Sequence, residues 1–384
     1  SCRQRLASFT SQNGATNVED IACTDICNLE ELGLRSTTVD GGDGSEVRPW
    51  IQMGGAQPNL PPGISGSEAF SCMAPQGIDG CGFESPLEAL RLALLRMQNP
   101  SEPEFGFLRE DAELSVIIVT DEVDCSTSDH GDTIFDPGGN RVFWSDPNSN
   151  SPTSAICWNA GVQCSGDASG YDDCVAVDRD NDGNDTDPEG AVLRPVEAYV
   201  ELIDGIRDQK AFGKEVHIAL LGGVPEDFGS VGIPYAQSGD PDFQDKYGIG
   251  AGCTSVVNGV TQEAVPPVRM RELVEAYDAT QMFSVCAQDY TPALDDMAAK
   301  LTPGLRGACV DHCLADADPI APGLQANCRF QEVYSDGSKV ELEECERVGD
   351  AWVPVEGHDA CIAYLGDHEG VTPETHDDPG AYCE

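Results

Sequence analysis

Two apolar runs limit what this chain can fold into: Leu114-Ser-Val-Ile-Ile-Val-Thr120 and Val216-His-Ile-Ala-Leu-Leu221. Uninterrupted runs of β-branched and aliphatic residues at strand length are the pattern of strands covered on both faces, as in a parallel sheet held between helical layers. Stretches of helical period alternate with them. Pro86 opens one, with Leu87, Leu90, Leu92, Leu94 and Leu95 building its apolar side as far as Asn99-Pro100, and Pro is pre-organised for a first helical turn. Val196, Tyr199, Val200, Leu202, Ile203 and Ile206 make the next. A helix over 268–277, a strand over 282–286 and a helix over 292–301 continue the alternation. The expected fold class is α/β, with a mainly parallel sheet and helices on both of its faces.

Long polar segments interrupt this order. Residues 125–193 exceed an ordinary connection and read as an ordered insertion pinned by cysteines and metal, and residues 224–266 form another insertion, rich in Gly, Pro and Asp. Residues 1–80, with Gly41-Gly42-Asp43-Gly44 and Pro61-Pro62-Gly63, read as loops with at most short helices. Six of the 17 cysteines, Cys309, Cys313, Cys328, Cys345, Cys361 and Cys383, crowd the last 76 residues. That density marks a small module stapled by disulfides rather than by a core. Three regions follow: 1–80, 81–305 and 306–384.

So many cysteines point to an oxidising compartment. No Cys-x-x-Cys is present, which removes support for zinc ribbons and thioredoxin-type redox sites. The odd total leaves one thiol whose partner is expected on another segment. No apolar run approaches the ~20 residues that span a bilayer, and the first residues carry no signal-peptide pattern. The expectation is an exported protein, secreted, periplasmic or at the outer-membrane surface, whose leader was removed or lies upstream. With 68 Asp+Glu against 21 Lys+Arg, a net charge of −47 excludes nucleic-acid binding through phosphate and attraction to anionic membranes.

Part of the acid is patterned. Asp178-Arg-Asp-Asn-Asp-Gly-Asn-Asp-Thr-Asp-Pro-Glu189 has the spacing of an EF-hand-type loop. Alternate carboxylates, Asp178, Asp180 and Asp182, converge on one cation in such a loop, the carbonyl of Asn184 turns inward, and Glu189 closes the sphere. Calcium is the expected ion. A second acidic stretch, Asp121, Glu122 and Asp124, follows the first strand, where ligands of open α/β sheets bind. Hard oxygen ligands there suit Mg²⁺ or Ca²⁺.

Several segments resemble a known family. Gly82-Phe-Glu-Ser-Pro-Leu-Glu-Ala-Leu90, Gly106-Phe-Leu-Arg109, Val119-Thr-Asp-Glu122 with Asp124-Cys-Ser126, and Ser284-Val-Cys-Ala-Gln-Asp-Tyr290 resemble exported, cysteine-rich von Willebrand factor type A-like proteins of the myxobacterial kind. The likeness covers residues 80–305, and Cys309-x3-Cys313 with Asp318-Pro319 resembles the module that follows the domain there. It implies a Rossmann-type sheet and a metal-ion-dependent adhesion site. Asp121 matches the site's third motif, Glu84 and Ser85 fall where its threonine motif lies, and the Asp-x-Ser-x-Ser motif is missing. Only the last three of the six expected strands are recognisable. The resemblance therefore implies that another polypeptide, an upstream fragment, completes the sheet.

No His-Glu-x-x-His, Gly-x-Ser-x-Gly or phosphate-loop motif occurs, so no enzyme is expected. The leading reading is a calcium-binding adhesion or protein-binding protein. The alternatives are a structural subunit of an extracellular or outer-membrane assembly, and an extracellular hydrolase without a recognisable motif.

Overall fold

The computed structural model describes residues 32–36, 47–53, 59–74, 82–110, 112–211, 214–257 and 259–305, and four short strands between residues 331 and 353. The chain divides into two compact units, Ser1–Gly304 and Leu305–Glu384. In the first, helix α1 (Gly66–Met73) is closed by a reciprocal capping box between Ser65 and Glu68, and it contributes Ala69 to a small cluster with Leu32, Leu34 and Leu60. The described part of residues 1–80 contains no strand.

Helix α2 (Pro86–Gln98) starts at its proline and buries Leu87 and Leu94. It leads to strand β1 (Leu114–Val119). The first insertion then supplies helix α3 (Ala155–Gly161) and the hairpin β2 (Val162–Asp167) to β3 (Gly170–Ala176). Helix α4 (Val196–Arg207) and strand β4 (Val216–Gly222) follow. The second insertion holds helix α5 (Pro241–Tyr247) and the hairpin β5 (Cys253–Val257) to β6 (Val260–Ala264). Helix α6 (Val268–Glu275), strand β7 (Met282–Ser284) and helix α7 (Thr291–Leu305) complete the unit.

The central sheet has the order β1-β4-β7 and is wholly parallel, with Leu114 opposite Val216 and Leu220 opposite Met282. Because side chains alternate across a strand, Leu114, Ile118, Ile218 and Leu220 face one layer. There they pack with Leu87 and Leu94 of α2, Tyr199, Ile203 and Ile206 of α4, and Met270 and Leu273 of α6. Ala219, Leu221 and Phe283 face the other layer and are covered by Met297 of α7. The sequence predicts helices on both faces of a parallel sheet, and that is the arrangement found.

One expectation fails at β1. Its continuous apolar run predicts burial on both faces, yet Ile117 is 47% and Val119 64% exposed. The cause is position: β1 is the edge strand, and Met297 of α7 packs on β4, not on β1. Leu114 and Thr120 donate their N–H groups to carbonyls of Glu215 and Leu221. In a parallel ladder the intervening Ser115, Ile117 and Val119 therefore turn their backbone groups outward, where no strand lies among the described residues.

Both insertions carry apolar clusters of their own. Cys157, Trp158, Tyr235, Ile249 and Val265 form one, and Ile134, Phe143, Trp144, Ile156 and Leu193 another. Three disulfides pin them: Cys125–Cys157, Cys164–Cys174 and Cys253–Cys286. The first and third tie insertion elements to segments that directly follow β1 and β7. In the second unit, Gln331–Val333 pairs antiparallel with Lys339–Glu341, and Glu346–Val348 with Ala351–Val353. Cys309, Cys313, Cys328, Cys345, Cys361 and Cys383 lie outside the described residues.

Candidate functional site

The carboxyl rim of the sheet gathers the loop after β1, the start of α2 and the two insertions. Asp124 does structural work there. Ser85 precedes α2 without capping it through its own side chain. Instead Asp124 Oδ1 accepts the Leu87 N–H at 3.2 Å and Ser126 Oγ accepts the Glu88 N–H at 2.8 Å. Ser126 in turn donates to Asp124 Oδ1 at 2.5 Å. Acceptors at the first turn satisfy donors that have no helical partner, and a carboxylate there opposes the helix dipole.

The other oxygen of Asp124 accepts from Arg269 Nε at 3.0 Å, and both side chains are almost fully buried. Arg269 also donates to the Arg194 carbonyl at 2.5 Å, while Arg194 Nε reaches Glu88 Oε2 at 2.9 Å. The buried guanidinium thus joins the loop after β1 to the segment before α4, and α2 attaches to both through Leu87 and Glu88. No sequence signal marked Arg269, which lies 145 residues from its partner.

The remaining acids cluster toward solvent. Thr120 Oγ1 donates to Glu84 Oε2 at 3.3 Å, and the Ser85 hydroxyl donates to the Cys125 carbonyl at 2.9 Å. Partial desolvation, then the nearby Glu122 and Asp121, push the Glu84 carboxyl above its usual range. Asp121 is exposed. Glu122 accepts from Ser154 Oγ at 3.1 Å and from the Tyr247 hydroxyl at 3.4 Å. Sequence reasoning missed a cation in this neighbourhood: Lys246 donates to the Tyr247 oxygen at 2.6 Å. Burial works against its charge, but Tyr247, Glu122 and Asp121 outweigh burial and hold the ammonium above its ordinary range.

The 178–189 loop folds as a tight hairpin turn, with an antiparallel bridge between Arg179 and Asp185. Gly183 takes φ +79° at its tip, and a Cβ there would lie 3.0 Å from Val142 Cγ2. Asp180, not Asp178, organises the turn, since its Oδ1 accepts the N–H groups of Asp182 and Asn184, each at 2.9 Å. The Asn184 carbonyl accepts the Asp180 N–H at 2.9 Å. Asp178 is half-buried. Burial raises its carboxyl, Arg269 opposes that, and Glu197 and Glu272 add to it. Its electrostatic neighbours therefore lie toward α4 and α6. Asp182 and Glu189 are exposed. The five expected calcium ligands share one loop, but among the described residues no three His, Cys, Asp or Glu side chains are grouped to hold a metal ion.

Comparison of the chain with protein-family models, with curated proteins and with solved structures finds no match.

Proposed function

We propose that this chain carries an exported, type A-like protein-binding domain whose sheet is completed along β1 by an extended segment of another polypeptide. The observation that carries the reading is the edge of β1, beside which no strand lies among the described residues. A strand with unpaired backbone groups and exposed apolar residues is a template for strand addition. On that edge Ile117 and Val119 leave apolar side chains exposed. The disulfides and the lack, among the described helices, of one long and apolar enough to cross a membrane are compatible with export. Glu84, Ser85, Asp121 and Glu122 lie at the end of that edge, where a partner's polar or cationic groups, or a Mg²⁺ ion, meet carboxylate oxygen. Calcium belongs to the same reading through the outer part of the acidic loop, Asp180, Asp182, Asn184 and Glu189, with Asp178 left to Arg269.

One observation favours the structural-subunit alternative. Lys246 already places positive charge beside Glu122 and Asp121, as a protein that has given up a metal at the rim would require.

The test is strand addition itself. A synthetic peptide of alternating Val and Thr ending in lysine is titrated into the chain, and amide exchange of Ser115, Ile117 and Val119 is followed. Slowed exchange in the wild type and none in Ile117→Pro, which deletes an outward N–H that β4 does not use, is the expected result. Equal exchange with and without peptide in the wild type would refute the reading.

A further inference from the structure

The two insertions meet around a cavity of about 350 Å³ that owes nothing to the β1 edge. Its walls are fixed by backbone bonds between them: Tyr171 N–H to the Tyr235 carbonyl at 2.7 Å, and Gln237 N–H to the Ala168 carbonyl at 2.8 Å. The Cys164–Cys174 disulfide ties β2 to β3 at one wall. On another, Gly248 at φ +79° lies so close to Trp158 that an added Cβ would fall 3.1 Å from the ring's Cδ1.

The lining is unlike the rest of this protein. None of its eleven residues is Asp or Glu, although acids make up 68 of 384 positions. Asp146 and Asp245 line a separate, smaller cavity of about 120 Å³. The single charged side chain is Arg179, set with Trp158, Tyr171, Gln163 and Gln237. Arg179 uses only Nη1 internally, on the carbonyls of Asn159 and Val162. Among the described residues its Nε and Nη2 have no hydrogen-bond partner, and neither have the side-chain amides of Gln163 and Gln237. By contrast Gln244 is committed at both ends, to Ser238 N–H and the Gly248 carbonyl, each at 2.7 Å.

Neutral amides that both donate and accept match a ring of hydroxyl groups, aromatic rings supply flat apolar surface, and a guanidinium fork matches a carboxylate. A volume of this size holds a small ligand. We infer that this cavity is a binding site for an acidic sugar, a pyranose carrying a carboxylate, with Arg179 on the carboxylate and Gln163 and Gln237 on the hydroxyls.

The experiment is calorimetric titration of the full chain with D-glucuronate, with D-glucose and acetate as separate arms. Glucuronate is expected to bind at least tenfold more tightly than either. Gln163→Ala should weaken it about threefold to tenfold, the size of one neutral hydrogen bond. Arg179→Lys, which keeps the charge and loses the fork, should weaken it about tenfold or more. Because Arg179 also holds two carbonyls, the exposed Gln163 gives the arm that does not threaten folding. Acetate matching glucuronate, glucose matching it, no binding of glucuronate at 20 mM (roughly the weak end of small-ligand affinity), or unchanged affinity in Gln163→Ala would each overturn the inference.

Discussion

Asp124→Asn separates the two jobs of the buried carboxylate. The amide oxygen of asparagine still accepts the Leu87 N–H and the Ser126 hydroxyl, so the cap on α2 survives. The charge opposite Arg269 is lost. With the two side chains at 0% and 2% exposure, solvent screening does little to soften that loss. Breaking one partner of a buried pair costs about 3–5 kcal/mol, because the remaining charge stays buried without compensation. Arg269 also has a buried Nη1 with no hydrogen-bond partner among the described residues, and Asp178, its other acidic neighbour, accepts no hydrogen bond from it. For a unit of this size, that corresponds to a Tm lower by roughly 5–15 °C. Urea unfolding followed by tryptophan fluorescence measures the free energy, with Arg269→Met and the double variant completing the cycle. The double variant should recover most of the loss, since both charges are then gone. Asp124→Asn within about 1 kcal/mol of wild type, or a double variant whose loss is the sum of the singles, would refute the claim that charge pairing rather than capping dominates here.

Three further outcomes are expected. Glu84 has a raised carboxyl, so its ionised form costs stability that grows as pH rises through the folded value and vanishes below the ordinary value of 4.5; Glu84→Gln should therefore raise Tm at pH 7 and leave it unchanged near pH 3.5, and an equal shift at both pH values would contradict the cause. Replacing Cys253 and Cys286 by serine opens a bridge with a sequence separation of 33 and should cost about 3–4 kcal/mol in denaturant unfolding, with no gain in reductant sensitivity. Excess EDTA should lower Tm and added calcium restore it, since a cation that binds only the folded loop stabilises by mass action; identical melting curves in both would remove calcium from the proposed function.

Element order was legible because β-branched runs and leucine periodicity are local signals. Val216–Gly222 and Leu114–Val119 sit where their sequences put them. What covers a strand is not local. Ile117 and Val119 read the same whether a neighbour lies beside them or not, which is why double burial was expected at an edge. The two hairpins were missed for the opposite reason: Gln163-Cys-Ser-Gly-Asp167 and Thr261-Gln-Glu263 are mostly polar, and their stability comes from disulfides and from packing on distant segments. The Asn258-Gly259 pair was an available turn signal for β5–β6. At the rim the sequence offered a row of acids, but spacing alone could not assign Asp124 to a guanidinium 145 residues away, or Lys246 to the company of Glu122.

Helix α2 has its cap on the far side of a strand, 37 residues further along the chain. A helix of 13 residues is marginal by itself in water. As the chain is synthesised, α2 is complete before the residues that finish its first turn exist. The first turn of α2 is therefore completed only when the loop after β1 folds against it. Removing the acceptor at Asp124 or Ser126 is therefore expected to loosen the first turn of α2, 37 residues back along the chain.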